Sequence, residues 1–232
     1  MKHFCLILIF IFSISNCISG NYDTLQRDSL MFTTGPNVIF KGDNNIIVKN
    51  NKGEVIEGVL GEDTDLWTTG PMVSFASNSR VKFNNEGKVI EGFSNANFIA
   101  LACDNKYYEF KSYSKITFDN KGTINEGNIV SSIKIICNRD IEIFSVPESK
   151  IKFYDTGEIM WIMPTENIKI NTSNDKIVLS NQYPIKLNKN CEIIQGCLAK
   201  KTTFVNEKGE ESILRQGSTI FLGQDGKWSD NN

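Results

Sequence analysis

The chain has 232 residues, a formal net charge of −2 and 40% apolar residues. A charge balance this close to neutral argues against a nucleic-acid-binding protein, which needs a concentrated basic face. The apolar content is enough to bury a sizeable core.

The first residues predict export. Met1-Lys2-His3 is a short positive start, and Phe4 to Ser13 is an apolar run of about ten residues, the length of a signal-peptide core and too short to cross a bilayer. We expect residues 1–16 to be a signal peptide. Its removal takes away one lysine, which leaves 24 basic against 27 acidic side chains, since 25 − 1 = 24, and a net charge near −3.

The next residues resemble a bacterial lipobox. In a lipobox a small residue precedes a cysteine, which is diacylated and becomes the new N-terminus. The corresponding stretch here is Ile14-Ser15-Asn16-Cys17. Asn16 departs from the usual alanine or glycine, although the looser lipoboxes of spirochaete lipoproteins resemble this one. A lipidated Cys17 implies a palmitate-type anchor that holds the chain at the outer membrane or cell surface. The open alternative is secretion after cleavage near Gly20.

A hairpin module recurs along the remaining chain. Its best copy, Ser79 to Phe93, alternates apolar and polar residues on both sides of Asn84–Gly87, which is typical of a β-hairpin. A second match, between Thr33–Phe40 and Thr68–Phe75, has a separation of 35 residues. Six units are indicated by turn positions at steps of 34 or 35 residues: Gly53, Gly87, Gly122, Gly157, Cys191 and Gly226.

Each unit is predicted to contain four short strands, named a to d. Strand a is a short apolar segment, which in the first unit is Leu30-Met-Phe32, and strands c and d are the two arms of the hairpin. We expect one all-β domain over residues 28–228, with a tether over 17–27 and a polar tail over 229–232. Strand b is predicted to end in an apolar residue: Phe40, Phe75, Phe110, Phe144, Leu179 and Leu214.

Two architectures fit six such units. One is an open β-meander or solenoid, and the other is a closed six-bladed propeller. Because propeller repeats usually need about 40–50 residues, we expect the open form, with the propeller as the alternative.

The glycines have two predicted roles. The first glycine of each unit takes positive φ in the turn after an Asn or Asp that hydrogen-bonds its own backbone. Cys191 does not suit this role, so the positive φ is expected at Asn190, or the turn is deformed. The second glycine is expected to mark a bulge or bend between strand d and the next unit, at Gly58, Gly92, Gly127 and Gly196.

The repeat resembles a known kind of module. The string from Gly53 to Thr64, G-E-V-I-E-G-V-L-G-E-D-T, looks like hairpin repeats of bacterial exported proteins and is distantly similar to MORN-type hairpin repeats. The resemblance covers all six units, although only the first carries Asp63-Thr64. It implies a structural or binding role and transfers no catalytic residue.

Enzymatic chemistry is not expected. His3 is the only histidine and leaves with the signal peptide, so the exported chain has no imidazole for nucleophilic catalysis or metal binding. No glycine-rich phosphate loop, G-x-S-x-G elbow or C-x-x-C pair is present. We expect no cofactor and no metal; a carboxylate-dependent hydrolase, which needs only two acids, is kept as an alternative.

One acidic set stands out. Glu57, Glu91 and Glu126 share a repeat position, so stacked units would align them on one face, where they could hold Ca²⁺ or meet a basic partner. The alternative, which we favour, is a solvated face with lysines nearby. Trp161 and Gln195 interrupt the set in later units.

The cysteines allow two disulfides in an exported chain. We expect Cys103 to pair with Cys137, because both end strand a in successive units, with two buried free thiols as the alternative. Cys191 and Cys197 lie on one predicted strand about 20 Å apart when extended, and they pair only if Gly196 bends the chain.

Together these features predict a surface-tethered lipoprotein with a structural, adhesion or protein-binding role. Its partners would be a membrane, through the lipid anchor, and another envelope or host protein. A carbohydrate-binding propeller is the alternative, because Trp67, Trp161, Trp228 and the tyrosines at 107, 108 and 113 could form a sugar platform.

Overall fold

A computed structural model describes residues 22–24, 38–41, 47–137, 141–171, 176–205, 211–223 and 228–229. The predicted signal peptide, Cys17 and the predicted strand Leu30-Met-Phe32 lie outside these ranges. The described residues form 24 strands and no helix, with four strands in each of six units. The predicted all-β repeat is therefore confirmed.

Strands a and b of each unit pair with each other in a separate two-stranded antiparallel sheet. Inward-facing residues alternate with outward-facing ones, as in Thr64–Trp67, whose first and third residues are buried. The a strands are β1 (Tyr22–Thr24), β5 (Thr64–Trp67), β9 (Phe98–Leu101), β13 (Lys134–Cys137), β17 (Ile168–Asn171) and β21 (Thr202–Val205). The b strands are β2 (Ile39–Lys41), β6 (Met72–Phe75), β10 (Tyr107–Phe110), β14 (Ile141–Phe144), β18 (Lys176–Leu179) and β22 (Glu211–Leu214).

Strands c and d of all units join one continuous twelve-stranded antiparallel sheet, the meander sheet. The c strands are β3 (Val48–Lys49), β7 (Arg80–Phe83), β11 (Lys115–Phe118), β15 (Lys150–Phe153), β19 (Ile185–Leu187) and β23 (Thr219–Leu222). The d strands are β4 (Val55–Val59), β8 (Val89–Phe93), β12 (Ile124–Asn128), β16 (Ile159–Ile162), β20 (Ile193–Cys197) and β24 (Trp228–Ser229).

The meander sheet is open. Its strand order follows the sequence from β3 at one edge to β24 at the other, and each strand pairs with the c or d strand before or after it. A propeller would instead separate the strands into four-stranded blades. The open β-meander is thus the correct alternative, and the propeller prediction is wrong.

The first unit differs from its prediction. The described partner of β2 is β1, with Tyr22 opposite Lys41 and Thr24 opposite Ile39. The sequence predicts a tether over residues 17–27. The chain therefore enters the sheet structure earlier than the repeat period indicates.

Each a–b hairpin lies over the c–d hairpin of its own unit, and the core fills the space between the two layers. Isolated bridges join the layers: Thr68 to Val89 at one end of the second unit and Phe75 to Ser94 at the other. The buried side chains form two clusters, one from Val38 to Phe153 and one from Cys137 to Ile220. Partly buried Ile133 and Ile159 pack against both clusters, so the core is continuous along the repeat.

A β-bulge occurs in strand d of five units. In the second unit Lys82 lies opposite Glu91 and Phe83 opposite Val89, which leaves Ile90 as the extra residue. In a regular strand, residues two positions apart face the same side. The bulge instead makes residues three positions apart face the core. Val89 and Gly92 are accordingly both buried.

The second glycine is not the bulge, which corrects our prediction. The second glycine lies two residues beyond the bulge in strand d. The last large side chain of strand b occupies the space that a side chain on this glycine would need. A Cβ added at Gly92 would lie 2.6 Å from the Phe75 ring, and one added at Gly127 would lie 2.7 Å from the Phe110 ring. Glycine is required here because a ring packs directly on the backbone.

The fourth unit reverses this pairing. The bridge that joins Phe110 to Ile129 in the third unit joins Ser145 to Pro164 in the fourth. Ser145 therefore occupies the position of the ring, and Ile162 occupies the position of the glycine; both are fully buried. Phe144, which we had aligned with Phe110, is instead 41% exposed under the Lys134 ammonium.

Four of the described c–d turns form as predicted around an Asn or Asp side chain, whereas the turn of the fourth unit begins at Tyr154. Asn84 Oδ1 accepts hydrogen bonds from the N–H groups of Glu86 and Lys88, and Asp119 makes the equivalent bonds in the next unit. The positive φ of the fifth turn stays at Cys191, at 57°, and does not move to Asn190.

Adjacent units meet turn to turn. The a–b turn of one unit contacts the c–d turn of the next, as shown by the Thr69 hydroxyl, which donates to the Asp119 carbonyl oxygen at 2.7 Å. Gly70 lies against Gly122, and one unit further Cys103 lies against Gly157. We call each such contact a joint.

Candidate functional site

The three glutamates set apart by the sequence do lie in one row across the meander sheet. Pairing runs from Glu57 to Lys82 to Glu91, and on through Thr117 to Glu126. Each glutamate is thus separated from the next by a whole strand, or about 9–10 Å. Lys82 lies between the first two glutamates and neutral Thr117 between the second and third, so like charges are not stacked directly against each other.

Two basic side chains neutralise each of these carboxylates. Glu91 is 3.0 Å from Lys115 Nζ and 3.5 Å from Lys82 Nζ. Glu126 is 2.8 Å from Lys150 Nζ and 3.6 Å from Lys152 Nζ. Glu57 pairs in the same way with Arg80 and Lys82.

The electrostatics of Glu126 show the result. Burial acts to raise the pKa of this carboxyl, but the hydrogen bond and charge of Lys150, with the charges of Lys152 and Lys115, lower the pKa overall. A paired carboxylate has little capacity left for a cation. In the part of the chain that the structure describes, no group of three acidic, cysteine or histidine side chains is placed to hold a metal ion.

In the fourth unit an aromatic residue interrupts the row of glutamates. Trp161 takes the glutamate position opposite Lys152, and the Lys186 ammonium lies 5.5 Å from the Trp161 ring centroid. An open groove of about 490 Å³ adjoins this ring, with Met163 and Pro184 as its other apolar walls. Its polar lining is Glu126, Ser149, Lys150 and Lys152.

The a–b hairpins expose large apolar side chains on the side away from the core. Phe144 is 41% exposed beneath Lys134, and the exposed fractions of the others run from 45% for Trp67 to 72% for Tyr107. Four of the hairpins contribute, while the fifth unit places Lys169 and Asn171 there. We call this set the apolar outer face: Trp67, Met72, Ile99, Tyr107, Ile136 and Ile213.

The candidate aromatic platform is divided by the fold. Tyr108 is half-buried, and its hydroxyl donates to Asp104 at 2.6 Å, which together with burial raises the pKa of the phenol. Tyr107 points outward on the next position, and Tyr113 is exposed in a different turn. Trp67 belongs to the apolar outer face and Trp161 to the opposite side of the molecule, so no single platform unites them.

The four cysteines in the described part of the chain are free thiols, and the one that lies beside Cys137 is Cys191, not the predicted partner Cys103. Cys137 Sγ lies 2.7 Å from Cys191 Sγ. Cys103 lies instead beside Thr123 Oγ1, at 3.2 Å, and Asp119. Cys197 is 3.6 Å from Thr219 Oγ1.

The repeat explains this arrangement. Successive a strands end over the c–d hairpins of their own units, so they do not bring Cys103 to Cys137. A joint, however, links residues about fifty positions apart, and Cys137 and Cys191 are separated by 54. The sequence carries one sign of this contact, because Cys191 stands where the other units have a turn glycine. The contacts between units, however, become visible only in the fold.

Comparisons with protein-family models, with curated proteins and with solved structures find no match to this chain. No helix long and apolar enough to span a bilayer is found in the residues that the structure describes.

Proposed function

We propose that this protein is a non-catalytic binding module, exported and lipid-anchored at the cell envelope, whose apolar outer face binds another envelope or host protein. The observation that supports the proposal is the recurrence of exposed large apolar side chains on the a–b hairpins. Their exposed fractions, from 45% to 72%, place them in contact with solvent in the free chain.

Recurrence distinguishes this face from incidental exposure. Single exposed apolar residues are common on protein surfaces, whereas a series on one face marks an interaction surface. Trp67 and Met72 are directly cross-strand neighbours, and Tyr107 lies opposite half-buried Leu101. Such pairs offer broad, rigid contact area with little conformational entropy to lose, which favours binding to a protein.

The opposite side of the molecule is suited to solvent in its first three units. Its glutamates and lysines satisfy one another across strands. A charge-paired surface gives solubility without presenting a net field to a partner. The contrast between the two sides supports binding through the a–b hairpins.

The binding test uses the labelled chain from residue 18 onward, which lacks Cys17, and a saturation isotherm on intact cells. We expect saturable binding that is lost when the cells are first treated with protease. Replacing Trp67, Ile99 and Ile136 by serine is expected to weaken binding at least tenfold. Equal binding by this variant, or binding that survives protease treatment, would contradict the proposal.

The matched control removes exposed aromatic residues from outside the apolar outer face. Tyr113 and Tyr183 lie in b–c turns and are 71% and 43% exposed. The Tyr113→Ser, Tyr183→Ser double variant should bind as the wild type does. The urea midpoints of both variants establish that they are folded.

The anchor has its own test. A Cys17→Ser chain should lose palmitate labelling and move from the detergent phase to the aqueous phase in a detergent partition. Unchanged labelling would contradict lipidation at Cys17 and leave the binding proposal standing.

The groove beside Trp161 favours carbohydrate binding as a second candidate. An aromatic ring flanked by lysines and a carboxylate can stack on a sugar and hydrogen-bond its hydroxyls. A glycan array should show ligands lost in the Trp161→Ala variant and kept in Trp67→Ala. An array without ligands would reject this candidate.

A further inference from the structure

Two cysteines meet at the joint between the fourth and fifth units. Cys137 ends strand β13 and is buried, while half-buried Cys191 lies in the c–d turn between β19 and β20. Their sulfur atoms are 2.7 Å apart, in direct contact.

The same joint recurs along the molecule, which shows that the contact belongs to the architecture. Gly70 meets Gly122 between the second and third units, and Cys103 meets Gly157 between the third and fourth. Cys137 and Cys191 occupy the corresponding places in the next joint. The fold therefore holds them together independently of any bond between them.

The direction of the Cys191 side chain follows from its backbone. A Cβ added at Gly122 would lie 2.5 Å from Gly70 Cα, and one added at Gly157 would lie 3.1 Å from the Cys103 carbonyl carbon. A side chain at this turn position therefore points into the joint. Cys191 has positive φ, as Gly122 and Gly157 do. At its joint the Cys191 sulfur meets Cys137, where the other two joints have close backbone contacts.

The two thiols are chemically unequal. Hydrogen bonding with Cys137 lowers the pKa of the Cys191 thiol, while hydrogen bonding with Cys191, together with burial, raises the pKa of Cys137. Elsewhere, burial raises the pKa of Cys103. Cys191 is thus the thiol of the pair that loses its proton more readily, and a thiolate is the attacking species in disulfide exchange.

We propose that Cys137 and Cys191 form a redox site that closes to a disulfide across this joint, using a disulfide compound as the oxidant. The site rests on the proposed export in one respect, because an oxidising compartment supplies such oxidants. Its geometry does not depend on export.

The chemistry balances with one oxidant molecule. The Cys191 thiolate attacks one sulfur of the oxidant, the oxidant's disulfide bond breaks, and the released thiolate takes up a proton. Cys137 then gives its proton to solvent and attacks Cys191 Sγ, which expels the second oxidant thiolate. Two protein thiols are oxidised to one disulfide, and one oxidant disulfide is reduced to two thiols.

The product would make one joint covalent. The joint between the second and third units is held by the Thr69–Asp119 hydrogen bond and backbone contact. A disulfide at the equivalent place would fasten the a–b hairpin of the fourth unit to the following unit. The fourth and fifth units would then be harder to separate from each other.

The test oxidises the reduced full chain with oxidised glutathione and maps its cross-links by digestion without reductant. We expect one linked peptide pair that contains Cys137 and Cys191, while Cys103 and Cys197, the other cysteines that the structure describes, should stay free thiols. Either Cys137→Ser or Cys191→Ser should abolish the link. The matched controls, Cys103→Ser and Cys197→Ser, should retain it.

Reactivity gives a second measurement that does not require the disulfide to form. Alkylation of Cys191 at pH 7 should be at least tenfold faster than that of Cys103, and Cys137→Ala should move its pH midpoint upward. A Cys103–Cys137 link, or no link after glutathione treatment, would overturn the proposal.

A parallel sample, trapped with acid from the exported fraction of cells, separates the two proposals. A link formed by glutathione but missing from that sample would support the redox site and contradict export to an oxidising compartment.

Discussion

The third and fourth units solve the same packing problem with opposite residues. In the third, the Phe110 ring lies over Gly127, while in the fourth, Ser145 takes the place of the ring and Ile162 that of the glycine. One large and one small residue meet in each unit. The comparison teaches that the repeat preserves the combined volume of the pair and not the identity of either member.

The largest effect is expected from Ile162→Gly. Removing a fully buried isoleucine leaves a cavity beside a serine that cannot fill it, and glycine weakens a strand, so the variant should lose about 4 kcal/mol of unfolding free energy. Urea unfolding measures the loss.

The companion double variant tests the exchange directly. Ser145→Phe with Ile162→Gly recreates the pair of the third unit and should recover about half of that loss. Recovery is partial because Ser145 Oγ also accepts a hydrogen bond from the Ile133 N–H at 2.9 Å. A double variant less stable than Ile162→Gly would contradict the comparison.

The reverse exchange in the third unit comes next. In Gly127→Ile the new side chain overlaps the buried Phe110 ring, which should cost about 3 kcal/mol. Adding Phe110→Ser should restore about 2 kcal/mol in a double-mutant cycle followed by urea unfolding. Additive effects of the two changes would show that these positions do not share one space.

A smaller effect extends the comparison to the turns. Gly122 has positive φ and closely approaches Gly70, whereas Gly53 has positive φ with no atom within 4 Å of its added Cβ. Gly122→Ala should cost about 2 kcal/mol and Gly53→Ala about 1 kcal/mol, because only the first adds overlap to backbone strain. Equal decreases in melting temperature for the two variants would indicate that the backbone at this joint moves to make room for the added methyl group.

The smallest effect concerns the outer side of the same two units. Glu126 in the third unit is paired with lysines, and Trp161 replaces it in the fourth. Glu126→Gln should lose about 0.5 kcal/mol at pH 7.

The sign with pH follows from the direction of the pKa shift. The folded pKa of Glu126 is below the ordinary value of 4.5, so the ion pair stabilises the fold above that pH and its contribution is lost as pH falls below it. The wild type and Glu126→Gln should therefore converge in urea unfolding at low pH. A stability difference between the two chains that is the same at pH 7 and at low pH would contradict this role of the ion pair.

Much of the fold could be predicted because its signals are local. Alternation around Asn84–Gly87 gave the hairpin, and the spacing of turn glycines gave the units. The exchange of Phe110 and Gly127 for Ser145 and Ile162 could not be predicted, since it depends on which strand b residue lies over which strand d residue.

The candidate site was harder to predict for the same reason. A repeat position aligned Glu57, Glu91 and Glu126 correctly, but the strands between them carry the lysines that neutralise the row. Cys137 and Cys191 meet only through a contact between units. Apolar residues such as Ile99 and Ile136 look like core residues until the layers are known.

The strand order of the meander sheet also bears on how the chain matures. Every c–d hairpin adds beside the one that precedes it in sequence, so the meander sheet can grow in chain order, one hairpin at a time. A chain that emerges N-terminus first during synthesis can then fold progressively, each emerging hairpin pairing with the previous one. Each joint closes when the next c–d turn arrives, so a unit is completed by its successor.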